Sequence, residues 1–138
     1  MIGRSSRSSR PVLVAAEPQL FVADIRASCD FFVQKLGFKV AFVDGNPPFY
    51  AQVARDRAAL NLRHVDQPVF DNERREREEL LSAAIMVDTP DEIARLHDEC
   101  RSAGVPFHRG LKDEPWGARN FIIKDPDGNL ILFAGPVD

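Results

Sequence analysis

Apolar positions along the chain switch twice between the alternation of a strand and the wider spacing of a helix. The stretch "PQLFVADI" is strand-like and ends at Asp24, whose side-chain oxygen suits a helix N-cap. From Ile25 to Leu36 the apolar positions Ile25, Cys29, Phe32 and Leu36 follow i, i+4, i+7, i+11, which predicts an amphipathic helix. Gly37 stops it, where a left-handed residue commonly ends a helix. Three short strands follow, "FKVAFV", "FYAQVA" and "AALNLRH", separated by the turn signals "DGNPP" and "RDR".

The second half repeats this plan. "SAAIMVD" predicts a strand, and "TPDE" opens a helix: Thr89 caps, Pro90 fits the first helical position and Glu92 completes a capping box. Ile93, Leu96 and Cys100 make its apolar stripe and Gly104 ends it. "VPFHRG" is strand-like, and "WGARNFIIKDPDGNLILF" reads as two strands folded back across Asp127-Gly128, a strong hairpin signal. Strand, helix and three strands, twice over, predict an α+β fold of two βαβββ modules. The expected layout is a basic disordered tail over 1–15 and a single domain over 16–138. Within that domain lie a first module at 16–66, a charged linker helix at 67–81 and a second module at 82–136.

In the linker "DNERREREELL", Glu73 and Arg77, Arg74 and Glu78, and Arg75 and Glu79 are each four apart, as on a solvated helical face. Composition narrows the function classes. At 138 residues the chain can bury a core without disulfides or a structural metal. A net charge of -3 gives no electrostatic case for nucleic acid. Cys29 and Cys100 each fall on a predicted helix and read as small buried hydrophobes. No apolar run approaches the roughly 20 residues that span a bilayer. "VLVAA" is too short for a secretory core, so a cytoplasmic protein is expected.

The duplicated plan, with "LFVADIRASCDFFVQKLGF" and the "DPDGN" turn, resembles the vicinal oxygen chelate superfamily. That superfamily includes glyoxalase I, extradiol dioxygenases, fosfomycin resistance enzymes and bleomycin resistance proteins. The resemblance runs from about Ala16 to Pro136 and is nearest to the bleomycin-resistance branch. It implies modules forming a curled mixed sheet around an open cleft, often completed by a second subunit, so a homodimer is expected.

Metal-dependent members hold a divalent ion with His, Glu or Gln, one from each of four strands. Counting from the shared anchors, those slots fall on Glu17, Asn61, Ser82 and Leu132. A carboxylate, an amide, a hydroxyl and an aliphatic chain make a poor set for a transition metal, so no metal and no cofactor are expected. His64, His97 and His108 are scattered and form no H-x-x-H pattern. His64 is placed on the face opposite Asn61, His97 on the polar side of its helix, and His108 in the segment leading toward Trp116. No Gly-rich phosphate loop is present.

Strand alternation then lines the cleft. Glu17 brings Gln19 and Phe21 inward, Asn61 brings Arg63, and Tyr50 and Gln52 join them. Ser82, Ala84 and Met86 share a face, as do Leu130 and Leu132. "EPWG" resembles the segment that precedes the last hairpin in the bleomycin-resistance branch, where an aromatic at the mouth stacks on a flat part of the ligand. Trp116 is accordingly the first binding candidate, and Arg119 a possible partner for a ligand carboxylate or phosphate. The expected function is metal-free sequestration of a small, partly aromatic molecule. The alternative is a lyase, isomerase or dioxygenase of the same superfamily, metal-dependent or using Glu17 as a base.

Overall fold

A computed structural model describes residues 9–137 of the chain. The elements run β1 (Gln19–Val22), α1 (Ile25–Leu36), β2 (Lys39–Asp44), β3 (Tyr50–Arg55), β4 (Ala58–His64), α2 (Asn72–Glu78), β5 (Ala83–Met86), α3 (Pro90–Ser102), β6 (Phe107–Asp113), β7 (Ala118–Lys124) and β8 (Leu130–Pro136). Of the expected tail, residues 1–8 lie outside the described residues, and 9–15 are exposed without regular structure. No helix among the described residues is long and apolar enough to cross a membrane.

The strands form two four-stranded mixed sheets, ordered β1-β4-β3-β2 and β5-β8-β7-β6. In each, the first strand pairs in parallel with the last and the other neighbours are antiparallel. The fold is therefore α+β, built of two βαβββ modules whose sheets do not close into a barrel. The predicted caps account for both long helices. Asp24 accepts the Ala27 N–H at 3.1 Å and Gly37 takes φ 70° at the far end of α1. Thr89 accepts the Glu92 N–H and its hydroxyl donates to the Glu92 carboxylate, both at 3.1 Å.

Each helix covers one face of its sheet. Leu20, Val22, Ala51, Val53, Leu60 and Leu62 alternate inward beneath α1, and Phe121, Ile123, Ile131 and Phe133 beneath α3. All belong to one continuous core, so the two modules share their apolar interior. Polar bonds fix them together around it. Lys35 Nζ donates to the Ala103 carbonyl at 2.9 Å, and Arg55 bridges the Leu36 carbonyl at 2.9 Å and Glu99 at 2.6 Å.

Asn129, 1% exposed, is the most connected of these links. Its amide donates to the Phe21 carbonyl of the first module at 3.1 Å and to Asp125 at 2.9 Å, and its oxygen accepts the Ser82 hydroxyl at 3.0 Å. The "DPDGN" turn is thus a clasp between modules as well as a hairpin loop. Gly128 sits at φ 82° with the Asn72 side chain where a Cβ would go, at 2.7 Å, which ties the same turn to the linker.

Asp125 is buried in this clasp at 4% exposed. Burial pushes its carboxyl up to about 6, against hydrogen bonds from Asn129 and Asp127 that favour the charge. Between the ordinary value of 3.8 and about 6 the folded chain keeps a proton that the unfolded chain has lost. Stability from this group is therefore greatest below that window and falls as pH rises through it, by a few kcal/mol, on the order of 3. Urea unfolding between these pH values should show the fall in the native chain and its attenuation in Asp125→Asn. Parallel profiles for the two proteins would contradict the assignment.

The linker corrects the sequence reading in one respect. Arg74–Glu78 (2.9 Å) and Arg77–Glu73 (3.7 Å) form in solvent as spaced. Arg75 and Glu79 do not pair. Glu79 ends α2 in the left-handed region at φ 52°, which turns its side chain toward His108 and Arg109, while Arg75 is buried under Phe70.

Candidate functional site

The face of the second sheet away from α3 holds a hollow of about 350 Å³. Its position follows from alternation: Ala118, Asn120 and Ile122 point into it from β7, Leu132 and Ala134 from β8, and Met86 from β5. Ile122 lies opposite Leu132, and Asn120 and Met86 both flank Ala134, so the floor is mostly aliphatic. One wall is polar. Arg109 donates to Asn120 Oδ1 at 2.7 Å, Asn120 donates to Glu114 at 3.3 Å, and Glu114 lies 3.9 Å from Arg109 and 3.5 Å from Lys112. Arg109 Nε is buried without a hydrogen-bond partner, with Glu79 at 3.7 Å.

Trp116 stands at the mouth. It rides on the tight turn between β6 and β7, closed by the Gly117 N–H on the Glu114 carbonyl at 3.1 Å and by Gly117 at φ 91°. Its side chain packs on little of its own chain, with 74% of the residue exposed.

The first sheet's open face carries a different surface. Gln52 donates to Glu17 at 3.1 Å and to Asn61 at 2.9 Å, Asn61 donates to Glu17 at 3.3 Å, and the Tyr50 hydroxyl donates to Gln19 at 2.8 Å. Phe42 stacks on Tyr50 with ring centroids 6.2 Å apart. Arg63 lies opposite both Tyr50 and Phe21 in the strand register and is exposed.

The predicted residues therefore separate into groups. Trp116 and Leu132 line the second-module hollow, while Glu17, Tyr50, Asn61 and Arg63 share the first-module face, and no first-module residue lines that hollow. Phe21 keeps the same face by register but packs against Phe70 in a cleft under the linker. Ser82 is used by the clasp, its hydroxyl given to Asn129. Arg119 is a correction. It alternates with Ala118 and Asn120, so it falls on the opposite face of β7, where it pairs with Asp113. Asn120 and Ile122 were available from the same alternation counted back from the hairpin turn. Arg109 was not, because β6 shifts register on both sides of it and loses strand parity.

The four slots do not fit a divalent metal. Glu17 already accepts from two amides, Ser82 is bonded to Asn129, and Leu132 has no donor atom. No three His, Cys, Asp or Glu among the described residues are grouped to hold a metal ion. The histidines each have close partners. His64 bridges the Ala23 carbonyl and Asp66, each at 2.9 Å, which raises its pKa, chiefly through Asp66. His97 is another correction. It packs edge-on against Phe107 and Phe121, both with ring centroids at 5.2 Å, rather than standing on the polar side of α3. His108 lies 3.1 Å from Glu79. Both cysteines are buried, and burial pushes the Cys100 thiol up to about 11, so it is a poor nucleophile at neutral pH.

The chain belongs to the Glyoxalase/Bleomycin resistance protein/Dioxygenase superfamily, whose family profile matches residues 13–133. It is 29% identical to the bleomycin resistance protein of Geobacillus stearothermophilus over 127 residues, which is 84% of this chain and 92% of that protein. The bleomycin resistance protein of Staphylococcus aureus matches to the same extent. Among solved structures, it resembles the bleomycin-binding protein of bleomycin-producing Streptomyces verticillus, crystallised with copper(II)-bleomycin. That similarity has a TM-score of 0.70 and 26% identity, covering 93% of this chain and 100% of that one. The bleomycin resistance determinant encoded on transposon Tn5 shares the fold, with a TM-score of 0.68 at 20% identity over 90% of this chain and 98% of that one.

Proposed function

We propose that this chain is a cytoplasmic binding protein that sequesters a small, partly aromatic molecule, without metal and without chemistry. Its cleft is completed by a second copy. The observation that carries this reading is the second-module hollow, where a largely exposed indole stands over an aliphatic floor backed by one polar wall. An aromatic so open contributes little to folding and offers its face for stacking. Apolar walls with a few convergent polar groups are the usual makeup of a small-molecule pocket. The similarity to bleomycin resistance and bleomycin-binding proteins supports the same reading and makes bleomycin the first ligand to try.

Two features support a pair of subunits. The first-module polar face and the Trp116 hollow are separate within one chain. Val12, Leu13 and Val14 are 48%, 96% and 86% exposed, apolar surface left uncovered by the chain itself. Sedimentation equilibrium should give twice the chain mass, and a monomer at all working concentrations would remove this part of the proposal.

An enzyme reading needs either metal ligands or a buried base. The donor set is poor, and Glu17 is exposed and already accepts from two amides rather than standing buried as a base would. The test is titration of the purified protein with bleomycin and with planar cationic and phenolic compounds, followed by Trp116 fluorescence. Saturable quenching is expected. No quenching across the panel, with near-stoichiometric Ni, Mn, Fe or Zn in the purified protein, would favour the lyase or dioxygenase reading instead.

A further inference from the structure

The linker roofs a second hollow, which shares no lining residue with the one at Trp116. Its volume is about 240 Å³, with Phe21, Phe70, Pro68 and Pro126 among its walls. Arg75 also lines it. Its neighbours Arg74 and Arg77 pair with glutamates in solvent, but Arg75 is only 5% exposed, its guanidinium carbon 4.5 Å over the Phe70 ring. Arg75 Nη1 has no hydrogen-bond partner, and Asp125 and Asp127 act on the guanidinium only through space. A buried donor without an acceptor is destabilising, and an oxygen brought by a ligand relieves it.

The surrounding charges decide what kind of oxygen fits. Asp66 and Asp127 also line the hollow. Asp66 is held by His64 at 2.9 Å, and the Asp127 carboxylate accepts the Ala23 N–H, also at 2.9 Å. An anionic ligand would face both carboxylates, and a cation would face Arg75, so the matching group is uncharged. The flat apolar surfaces decide the rest: the Phe21 and Phe70 rings stand 6.4 Å apart and tilted, and Pro68 and Pro126 also line the hollow.

We propose that this hollow is a second ligand site, for a small uncharged planar ring compound bearing a carbonyl oxygen, such as an aromatic amide or lactam. The oxygen accepts from the Arg75 guanidinium and the ring lies against Phe21 and Phe70. The site is independent of the function proposed above, since either hollow can be filled while the other is empty.

Benzamide is the probe, titrated into the full chain and followed by heteronuclear NMR. Saturable millimolar shifts are expected at the Phe70 and Asp127 amides and the Arg75 side-chain N–H, with the Trp116 indole N–H unmoved. Benzoate, similar in shape but charged, should bind more weakly. Arg75→Met should weaken benzamide binding about tenfold, the scale of one hydrogen bond. Phe70→Ala alters a half-exposed residue and so keeps the fold, and it should give a loss of similar size. Three results would each overturn the proposal: absence of saturable shifts, undiminished affinity in Phe70→Ala, or benzoate binding more tightly than benzamide.

Discussion

Trp116→Ala is expected to weaken ligand binding by about one to two orders of magnitude while leaving the fold intact. Aromatic stacking on a ligand ring is worth about 1–3 kcal/mol, which spans roughly fivefold to a hundredfold in affinity. The residue is 74% exposed on a turn whose closing bonds are all backbone, so its loss removes almost no packing. The urea midpoint should stay put while calorimetric affinity falls, and calorimetry is the method because the variant has no Trp to report. Unchanged affinity would remove Trp116 from the site. A large drop in stability would assign it to an interface instead.

Asn129→Ala is expected to have the largest effect on stability, on the order of 3 kcal/mol. One substitution strands the Phe21 carbonyl, the Ser82 hydroxyl and part of the Asp125 carboxylate, and unmet buried polar groups cost about 1–3 kcal/mol each before relaxation. Because one of those bonds crosses between modules, the variant should lose binding along with stability. Urea unfolding followed by circular dichroism reads the first effect directly. A loss under about 1 kcal/mol would mean that the core, and not the clasp, holds the modules together.

The clasp also shows what the sequence could and could not disclose. Alternation, caps and turn residues placed the eight strands and three helices of the described residues, because each depends on neighbours within a few positions. Trp116 and Leu132 came instead from the family resemblance, one beside a turn and one counted from it. What local rules could not reach was side-chain traffic between distant segments. "DPDGN" looked like a hairpin turn, but its Asn reaches 108 positions back to Phe21. Arg75 looked like one more solvated charge, yet the turn at Glu79 and the ring of Phe70 take both members of its expected pair elsewhere. Arg119 was chosen for its nearness to Trp116, whereas strand parity sends it to the other face. The polar wall of Arg109 was hidden by the irregular register of β6.

The central claim is capture without metal or chemistry, and a binding titration on metal-stripped protein tests it most directly. The protein is dialysed against chelator and titrated calorimetrically with metal-free bleomycin and the planar compounds. The bound ligand is then recovered and weighed by mass spectrometry. Saturable binding, unchanged by added Ni, Mn, Fe or Zn, with ligand of unaltered mass, is the result the account predicts. Binding that appears only with added metal, or a recovered ligand of altered mass, would contradict it.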